Sequence, residues 1–262
     1  MSPYAIAATF ASFERRDWLT LFASAAALSV SLLTYVQRSR AGHMALRKQL
    51  TDLLQKLADL TLQADTYRAL EGKPRFEEFP RNYLVLLNDQ RRFLVRQAEF
   101  IAREIGGLVS PYEYLLIAAA FTAVEDMAQA ERYYQKAVNR AATPLDRGIS
   151  LRQHARFLGK HGRADEARAQ YARAVAAVTG DSDETRIYRA HTYARWARAA
   201  AEWGERQEAG TSLAAAKAEC GGIANLKRRA HEEAGLSAIH RSVEEGMVPA
   251  SSGVRALTAA RV

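Results

Sequence analysis

The sequence predicts an all-α protein, and three observations lead to this prediction. Alanine, leucine and arginine, all strong helix formers, dominate the 262 residues, and only six prolines interrupt them. Few stretches alternate branched apolar residues with polar ones, as a strand would. Apolar residues instead recur at intervals of three and four, which is the spacing of one helix face. The single cysteine, Cys220, excludes an intramolecular disulfide, and a chain of this length can bury a core without one.

The first predicted element is a single transmembrane helix over residues 18–36, preceded by a short tail over 1–17. The segment "WLTLFASAAALSVSLLTYV" carries no charge, and at ~1.5 Å per residue it nearly matches a ~30 Å hydrocarbon core. Trp18 and Tyr35 stand near its two ends, where amphipathic rings are favoured. The alternatives are a buried helix of a soluble protein and a cleaved signal peptide. The following "QRSRAGHM" lacks the small residues of a cleavage site, which disfavours the signal peptide.

Charges beside this segment predict its orientation. The flank before it, "ERRD", is neutral, whereas basic residues follow it: Arg38, Arg40, Arg47 and Lys48. By the positive-inside rule we expect a single-pass membrane protein with its C-terminal domain in the cytoplasm. Because the charges of residues 1–37 cancel, the whole net charge of +8 falls on the body of the chain.

Residues 41–107 are expected to form a helical hairpin. A heptad seam runs through the first helix: Leu46, Leu50, Leu53, Leu57, Leu60, Ala64 and Tyr67. Leu54 and Leu62 widen the stripe, which favours packing inside a bundle and leaves a parallel homodimer as the alternative. The stretch 71–80 breaks the pattern with Gly72, Pro74 and Pro80. A second helix is expected over 81–105, with an inner face of Leu84, Leu87, Leu94, Ala98, Ile101 and Ile105.

Three segments beyond residue 110 repeat one pattern. The run "MAQAERYYQKAV" aligns with one ending at 175 and with "RQEAGTSLAAAKA", at offsets of 37 and 42 residues. Ala130, Ala167 and Ala209 correspond in these runs. Each is preceded by another apolar helix in which Ala118, Ala155 and Ala197 correspond. The aligned positions that we expect to pack are Tyr114, Ile117, Phe121, Tyr134, Ala137, Leu151, His154, Leu158, Tyr171, Ala174, Tyr193, Trp196, Ala200, Leu213 and Ala216.

This small–aromatic–small pattern resembles the tetratricopeptide repeat, a helix–turn–helix unit of about 34 residues. The resemblance covers about three repeats over residues 111–219 and implies a stack of helical hairpins. A capping helix over 223–245 would close the repeat domain at residue 245, followed by a disordered tail over 246–262. Gly162 and Gly204 lie at the expected turns between paired helices, where a residue free to adopt positive φ is useful.

No motif for catalysis, for a cofactor or for a metal stands out. The sequence has no phosphate loop, no dinucleotide fingerprint and no paired cysteines, and "HEEAG" lacks the second histidine of a zinc helix. Ser110 and Ser150 precede helical segments and are better explained as caps than as nucleophiles. We therefore expect a non-enzyme without cofactors, and an enzyme with a cryptic site is the least favoured alternative.

The resemblance also implies a protein–protein function, with a partner peptide or helix held on the surface of the first helices. The candidate contact residues are Arg152, Arg156, Arg189, Arg195 and Arg198, and their charge would favour an acidic partner. The alternative is a strip that binds nucleic acid or anionic lipid: Arg152, Arg156, Lys160, Arg163, Arg168 and Arg173, with Tyr171 among them. Asp165 and Glu166 interrupt this strip, which favours a solvated mixed-charge face and makes nucleic acid a less favoured partner.

Overall fold

The computed structural model describes residues 15–70 and 82–247, with side chains from residue 42 through 241 and at 243, and it confirms the all-α prediction. Within these ranges the chain forms nine α-helices and one short 3₁₀ turn, Gly106–Leu108, and no strand. The helices are α1 (Arg15–Leu70), α2 (Tyr83–Glu104), α3 (Pro111–Ala123), α4 (Met127–Arg140), α5 (Pro144–Lys160), α6 (Ala164–Ala177), α7 (Asp183–Glu202), α8 (Arg206–Gly221) and α9 (Leu226–Met247).

Consecutive helices pair into four hairpins: α1 with α2, α3 with α4, α5 with α6, and α7 with α8. The first helices of successive hairpins contact each other, α3 with α5 and α5 with α7. Each second helix also contacts the next hairpin, and α9 packs on α7 and α8. Because each hairpin has a neighbour on which to bury its apolar face, the helices form a continuous stack.

Most of the heptad seam of α1 is buried within the chain, and Leu46 and Leu60 are partly buried. Leu50, Leu53 and Leu57 share one core cluster with Val95, Ala98 and Ile101 of α2. Arg91 of α2 donates a hydrogen bond to the carbonyl of Leu60 at 2.8 Å, which fixes the two helices against each other. The seam therefore packs inside a hairpin, as expected. Leu62 was expected to widen it, but its side chain is 69% exposed, and Leu54 alone is buried beside the seam.

The predicted transmembrane segment falls where the structure describes only the backbone. Residues 18–36 belong to α1, but their side chains lie outside the described part, so the transmembrane prediction stays a prediction. Across the described residues, no helix is long and apolar enough to cross a membrane. The predicted break at 71–80 and most of the predicted tail, from residue 248 on, also lie outside the described residues.

Most aligned positions of the three predicted repeats are buried. The six alignment alanines (Ala118, Ala130, Ala155, Ala167, Ala197 and Ala209) have no exposed surface at all. A methyl side chain at these sites lets neighbouring helices approach closely. Tyr193 and Trp196 differ from the expectation, because they are only partly buried. Tyr133 and Phe157 are core residues that the alignment did not single out.

The turns inside these three hairpins have the same backbone. Gly162 and Gly204 have φ of +77° and +83°, as predicted. Glu125 occupies the equivalent place in the hairpin of α3 and α4, with φ of +63°. In each turn the next amide donates to a carbonyl five residues back: Asp126 to Phe121, Arg163 to Leu158, and Glu205 to Ala200. The tight turn between α3 and α4 therefore forms without glycine.

Helix starts agree with the sequence at Ser110 but not at Ser150. The Ser110 hydroxyl accepts from the amide of Glu113, and the Glu113 carboxylate accepts from the amide of Ser110, a complete capping box. Ser150 is not a cap. Helix α5 begins at Pro144 and is capped by Thr143, and Ser150 is buried in its middle.

Candidate binding cleft between the second and third repeat hairpins

A cleft of about 180 Å³ lies between α5 and α7, near the C-terminal ends of both helices. Helix α5 contributes Arg156, Gly159 and Lys160, and Tyr171 comes from α6. The opposite wall consists of Arg195, Arg198, Ala199 and Glu202 of α7, followed by Trp203. Two successive hairpins therefore build the cleft, and neither could form it alone.

The aromatic wall depends on a glycine of the neighbouring helix. The Trp203 indole N–H donates to the carbonyl of Gly159 at 3.3 Å. A Cβ at residue 159 would lie 2.5 Å from Cζ2 of Trp203, which is closer than two carbon atoms can approach. A second contact of this kind lies at the other end of α5, where a Cβ on Gly148 would lie 2.6 Å from the Tyr188 hydroxyl. Glycines at both ends of α5 therefore let it pack closely on α7.

Tyr171 borders the cleft, but its side chain is almost fully buried. Its ring stacks on Trp196 of α7, with ring centroids 5.8 Å apart and planes 9° from parallel. Burial raises the pKa of Tyr171 to about 12, so the phenol stays neutral at physiological pH. Tyr171 therefore adds no charge to the cleft, and its stacking partner Trp196 lies outside the cleft lining.

The charged residues of the cleft are mostly cations without counterions. Arg156, Lys160, Arg195 and Arg198 have exposed side chains, and Glu202 is the lining carboxylate. None of these four cations forms an ion pair with any residue that the structure describes. The cleft therefore has four basic side chains available for a ligand.

Arg152 and Arg189, the other two predicted contact residues, have structural contacts instead. The Arg152 guanidinium lies 4.9 Å from the ring centroid of Tyr188 and donates to the Thr192 hydroxyl at 3.4 Å. Burial lowers the pKa of Arg152. Arg189 binds both carboxylate oxygens of Glu219, at 2.7 and 2.9 Å, and donates to two carbonyls before α7. The structure thus brings three of the five predicted arginines into one cleft.

Two cations of the basic strip considered for nucleic acid, Arg163 and Arg168, are held in ion pairs. Arg163 holds Glu131 of the preceding hairpin at 2.6 Å and Glu166 at 2.6 Å. Arg168 binds Glu205 and Glu208 of the following hairpin, at 2.6 and 2.9 Å, and Asp165 of its own helix. Cations held in this way are poorly placed to follow a phosphate backbone.

Reactive side chains do not converge in the described part of the chain. No group of three histidine, cysteine, aspartate or glutamate residues there could hold a metal ion. Cys220 is buried, and burial raises its pKa to about 11, which keeps the thiol protonated. A protonated thiol is a poor nucleophile.

Sequence reasoning missed the aromatic wall and the glycine that admits it. Gly159 and Trp203 are 44 residues apart, and neither belongs to the aligned packing positions. One feature of the sequence could have indicated Trp203. It directly precedes the turn glycine Gly204, which places it at the end of α7, the first helix of its hairpin. No family model matches this chain, and neither a curated protein nor a solved structure matches it.

Proposed function

We propose that this chain is a membrane-anchored adaptor of the tetratricopeptide type. In this proposal an acidic segment of a partner protein binds in the cleft between α5 and α7. Arg156, Arg195, Arg198 and Lys160 bind its carboxylates, while the partly exposed ring of Trp203 contacts its apolar atoms. The protein performs no chemistry, and its role is to hold the partner beside the membrane.

The observation that supports this proposal is that some arginines form ion pairs with carboxylates and the cleft arginines do not. Arg163, Arg168 and Arg189 each bind a carboxylate of this chain within 3 Å, whereas the three cleft arginines bind none in the described residues. Unpaired arginines near one another repel, so their clustering costs stability that an anionic ligand restores. Guanidinium groups bind carboxylates through two parallel hydrogen bonds, which gives an acidic segment both affinity and orientation.

The size of the cleft supports a peptide side chain as the ligand. A volume of about 180 Å³ accepts one or two side chains of a segment that continues along the surface. The aromatic wall favours a segment in which an apolar residue accompanies the acidic ones.

The anchor rests on the sequence of residues 18–36. The absence of charge over this segment and the basic residues after it support a single span with the repeat hairpins in the cytoplasm. Membrane fractionation of the full chain, compared with a chain lacking residues 1–40, tests this part of the proposal. A full-length chain that stays in the soluble fraction would contradict it.

Binding of an acidic probe tests the cleft. We expect the full chain in a mild nonionic detergent to bind a fluorescein-labelled oligoglutamate peptide, measured by fluorescence anisotropy. Replacing Arg195 and Arg198 by glutamine should weaken binding about tenfold, since each removes one partly exposed charge contact.

A matched control separates this site from general charge attraction. Arg132 and Lys217 are exposed cations on α4 and α8, and replacing both by glutamine changes the net charge equally. This control should leave the affinity within twofold of the original. Equal loss in both variants, or tighter binding of a labelled oligouridine than of the peptide, would overturn the proposal.

A further inference from the structure

Helix α2 carries a second apolar stripe on the side away from its core face. Leu86, Phe93 and Phe100 follow one another at intervals of seven residues, and their side chains are 47%, 65% and 64% exposed. The buried face of the same helix consists of other residues, including Leu87, Val95 and Ala98. Large apolar side chains are seldom exposed in a row, and a row of this kind marks an interaction surface.

The seven-residue spacing indicates a helix as the partner. A heptad interval keeps a stripe aligned with a neighbouring helix over its full length, because two helices that wind around each other repeat every seven residues. From Leu86 to Phe100 the stripe is about 21 Å long. Gln90 and Gln97 alternate with it along the same face, in the positions between the apolar layers.

Two shallow grooves extend the stripe toward α1. One is lined by Leu60, Gln90, Phe93 and Leu94, and the other by Leu46, Phe93, Gln97 and Phe100, with polar residues of α1 at their edges. Phe93 stands between the two grooves and belongs to both. The surface therefore has a central aromatic ridge with a depression on each side of it.

We propose that this stripe binds the same stripe of a second copy of the chain, in parallel and in register. In this arrangement every layer pairs a residue with its own copy. Phenylalanine meets phenylalanine in two layers, and glutamine meets glutamine in two others. Because an amide both donates and accepts hydrogen bonds, a pair of glutamines can satisfy itself across the interface.

The alternating polar layers also favour a single register. A polar residue at an inner position of a coiled coil is costly opposite an apolar one, so it fixes the register and the number of strands. A shift of one layer would place Gln97 against Phe93 or Phe100. In the parallel arrangement the two α1 helices, which extend past the end of α2 toward residue 15, also run in the same direction.

The exposed area predicts a weak but specific dimer. Phenylalanine side chains bury 150–250 Å² each when fully covered, and two per copy are about two-thirds exposed. With Leu86 and the groove residues we expect roughly 600 Å² buried per copy, near the lower end of specific interfaces. Interfaces this small are typical of weak, transient complexes, so we expect a dissociation constant in the micromolar range.

Sedimentation velocity of the full chain in a mild nonionic detergent tests the dimer. We expect a monomer–dimer equilibrium over protein concentrations from about 1 to 100 µM. The double change Phe93→Glu and Phe100→Glu should shift it at least tenfold toward monomer. Leu226→Glu is the matched control, because this leucine on α9 is 77% exposed and lies far along the chain from the stripe. Far-ultraviolet circular dichroism checks that each variant keeps its helices.

Cysteine cross-linking tests the parallel register. The native thiol, Cys220, is buried, so an added cysteine is the reactive one. Under copper phenanthroline, Gln97→Cys should form a disulfide-linked dimer, because each copy places residue 97 opposite itself. Lys217→Cys, at an exposed position on α8 outside the stripe, should form no disulfide-linked dimer.

Three outcomes would overturn the proposal. The first is a chain that remains monomeric throughout the concentration range. The second is a dimer that persists in the variant with both glutamates, since another surface would then hold it. The third is a dimer that depends on the phenylalanines but does not cross-link through Gln97→Cys, which would exclude the parallel register.

Discussion

Arginines in two regions of this molecule differ in their partners. On the side of the second helices, Arg163 and Arg168 bind carboxylates across the boundary between hairpins. In the cleft between α5 and α7, Arg156, Arg195 and Arg198 bind no carboxylate that the structure describes. The residue type is the same in both regions, and what distinguishes them is whether the arginines form ion pairs, because the cleft carboxylate Glu202 pairs with none of its three arginines.

The difference teaches that charge composition alone does not locate a binding site in a stacked fold. The partner of Arg163 is 32 residues away, that of Arg168 is 37 residues away, and Glu219 is 30 residues from Arg189. The first two pairs join neighbouring hairpins and are brought together by stacking, whereas Arg189 and Glu219 lie on α7 and α8 of the same hairpin. A cation that stays unpaired after stacking is the one that remains available for a ligand.

The largest expected effect comes from the glycines that admit the aromatic rings of α7. Gly159→Ala should lower the free energy of unfolding by about 1–3 kcal/mol, because the added methyl group collides with Trp203. It should also weaken binding of the acidic peptide, since Trp203 lines the cleft. Urea unfolding and fluorescence anisotropy measure the two effects.

Gly148→Ala sharpens this test, because it disturbs the same helix pair away from the cleft. The added Cβ would lie 2.8 Å from Val178 and 2.6 Å from the Tyr188 hydroxyl, so a similar loss of stability is expected. Peptide affinity should not change. Gly210→Ala on α8 is the control with open space around it, and it should stabilise the chain slightly. A Gly159→Ala chain as stable as the original would contradict the packing argument.

A smaller effect should separate the paired arginines from the unpaired ones. Arg168→Ala leaves Glu205, Glu208 and Asp165 without their shared cation, and it should cost about 1 kcal/mol. Arg198→Ala should not lower stability, and should raise it slightly by removing repulsion, while it reduces peptide binding. The same urea and anisotropy measurements apply to both variants. Equal destabilisation by the two changes would show that the comparison between the regions is wrong.

The fold could be predicted from the sequence further than the cleft could. The alanines that recur at aligned positions predicted which helices pair, because a side chain of one methyl group lets two helices approach closely. Glycine at the turns was equally readable, although Glu125 shows that the turn can form without it. Gly159 and Trp203 could not be paired, since their contact depends on how α5 and α7 lie against each other. The exposure of Phe93 and Phe100 was equally hidden, because an apolar residue in a helix predicts burial until the neighbouring helices are known.

The smallest expected effect concerns acid stability and involves His154, beside the ion pair of Arg163. His154 is buried and stacks on Tyr134 at 5.9 Å, and its Nε2 lies 3.9 Å from a Glu131 oxygen. Burial lowers the pKa of His154, while Glu131 acts in the opposite direction and Arg163 reinforces the lowering. The unfolded chain therefore takes up a proton below about pH 6.5 that the folded chain resists. The free energy of unfolding should fall as the pH drops below that value, and this is measured by urea unfolding at several pH values.

Two variants decide whether the effect belongs to His154 and to the ion pair beside it. His154→Phe keeps an aromatic ring on Tyr134 and should remove this part of the pH dependence, whereas His231→Gln, at an exposed position on α9, should not. Arg163→Gln removes a nearby positive charge and releases Glu131 from its bonds of 2.6 and 3.0 Å. The released carboxylate can then stabilise protonated His154, so the pKa of His154 should rise and the acid sensitivity should decrease. If Arg163→Gln instead steepens the loss of stability between pH 6.5 and 5, Glu131 does not act on His154, and the ion pairs of this region contribute to stability only through the contacts between hairpins.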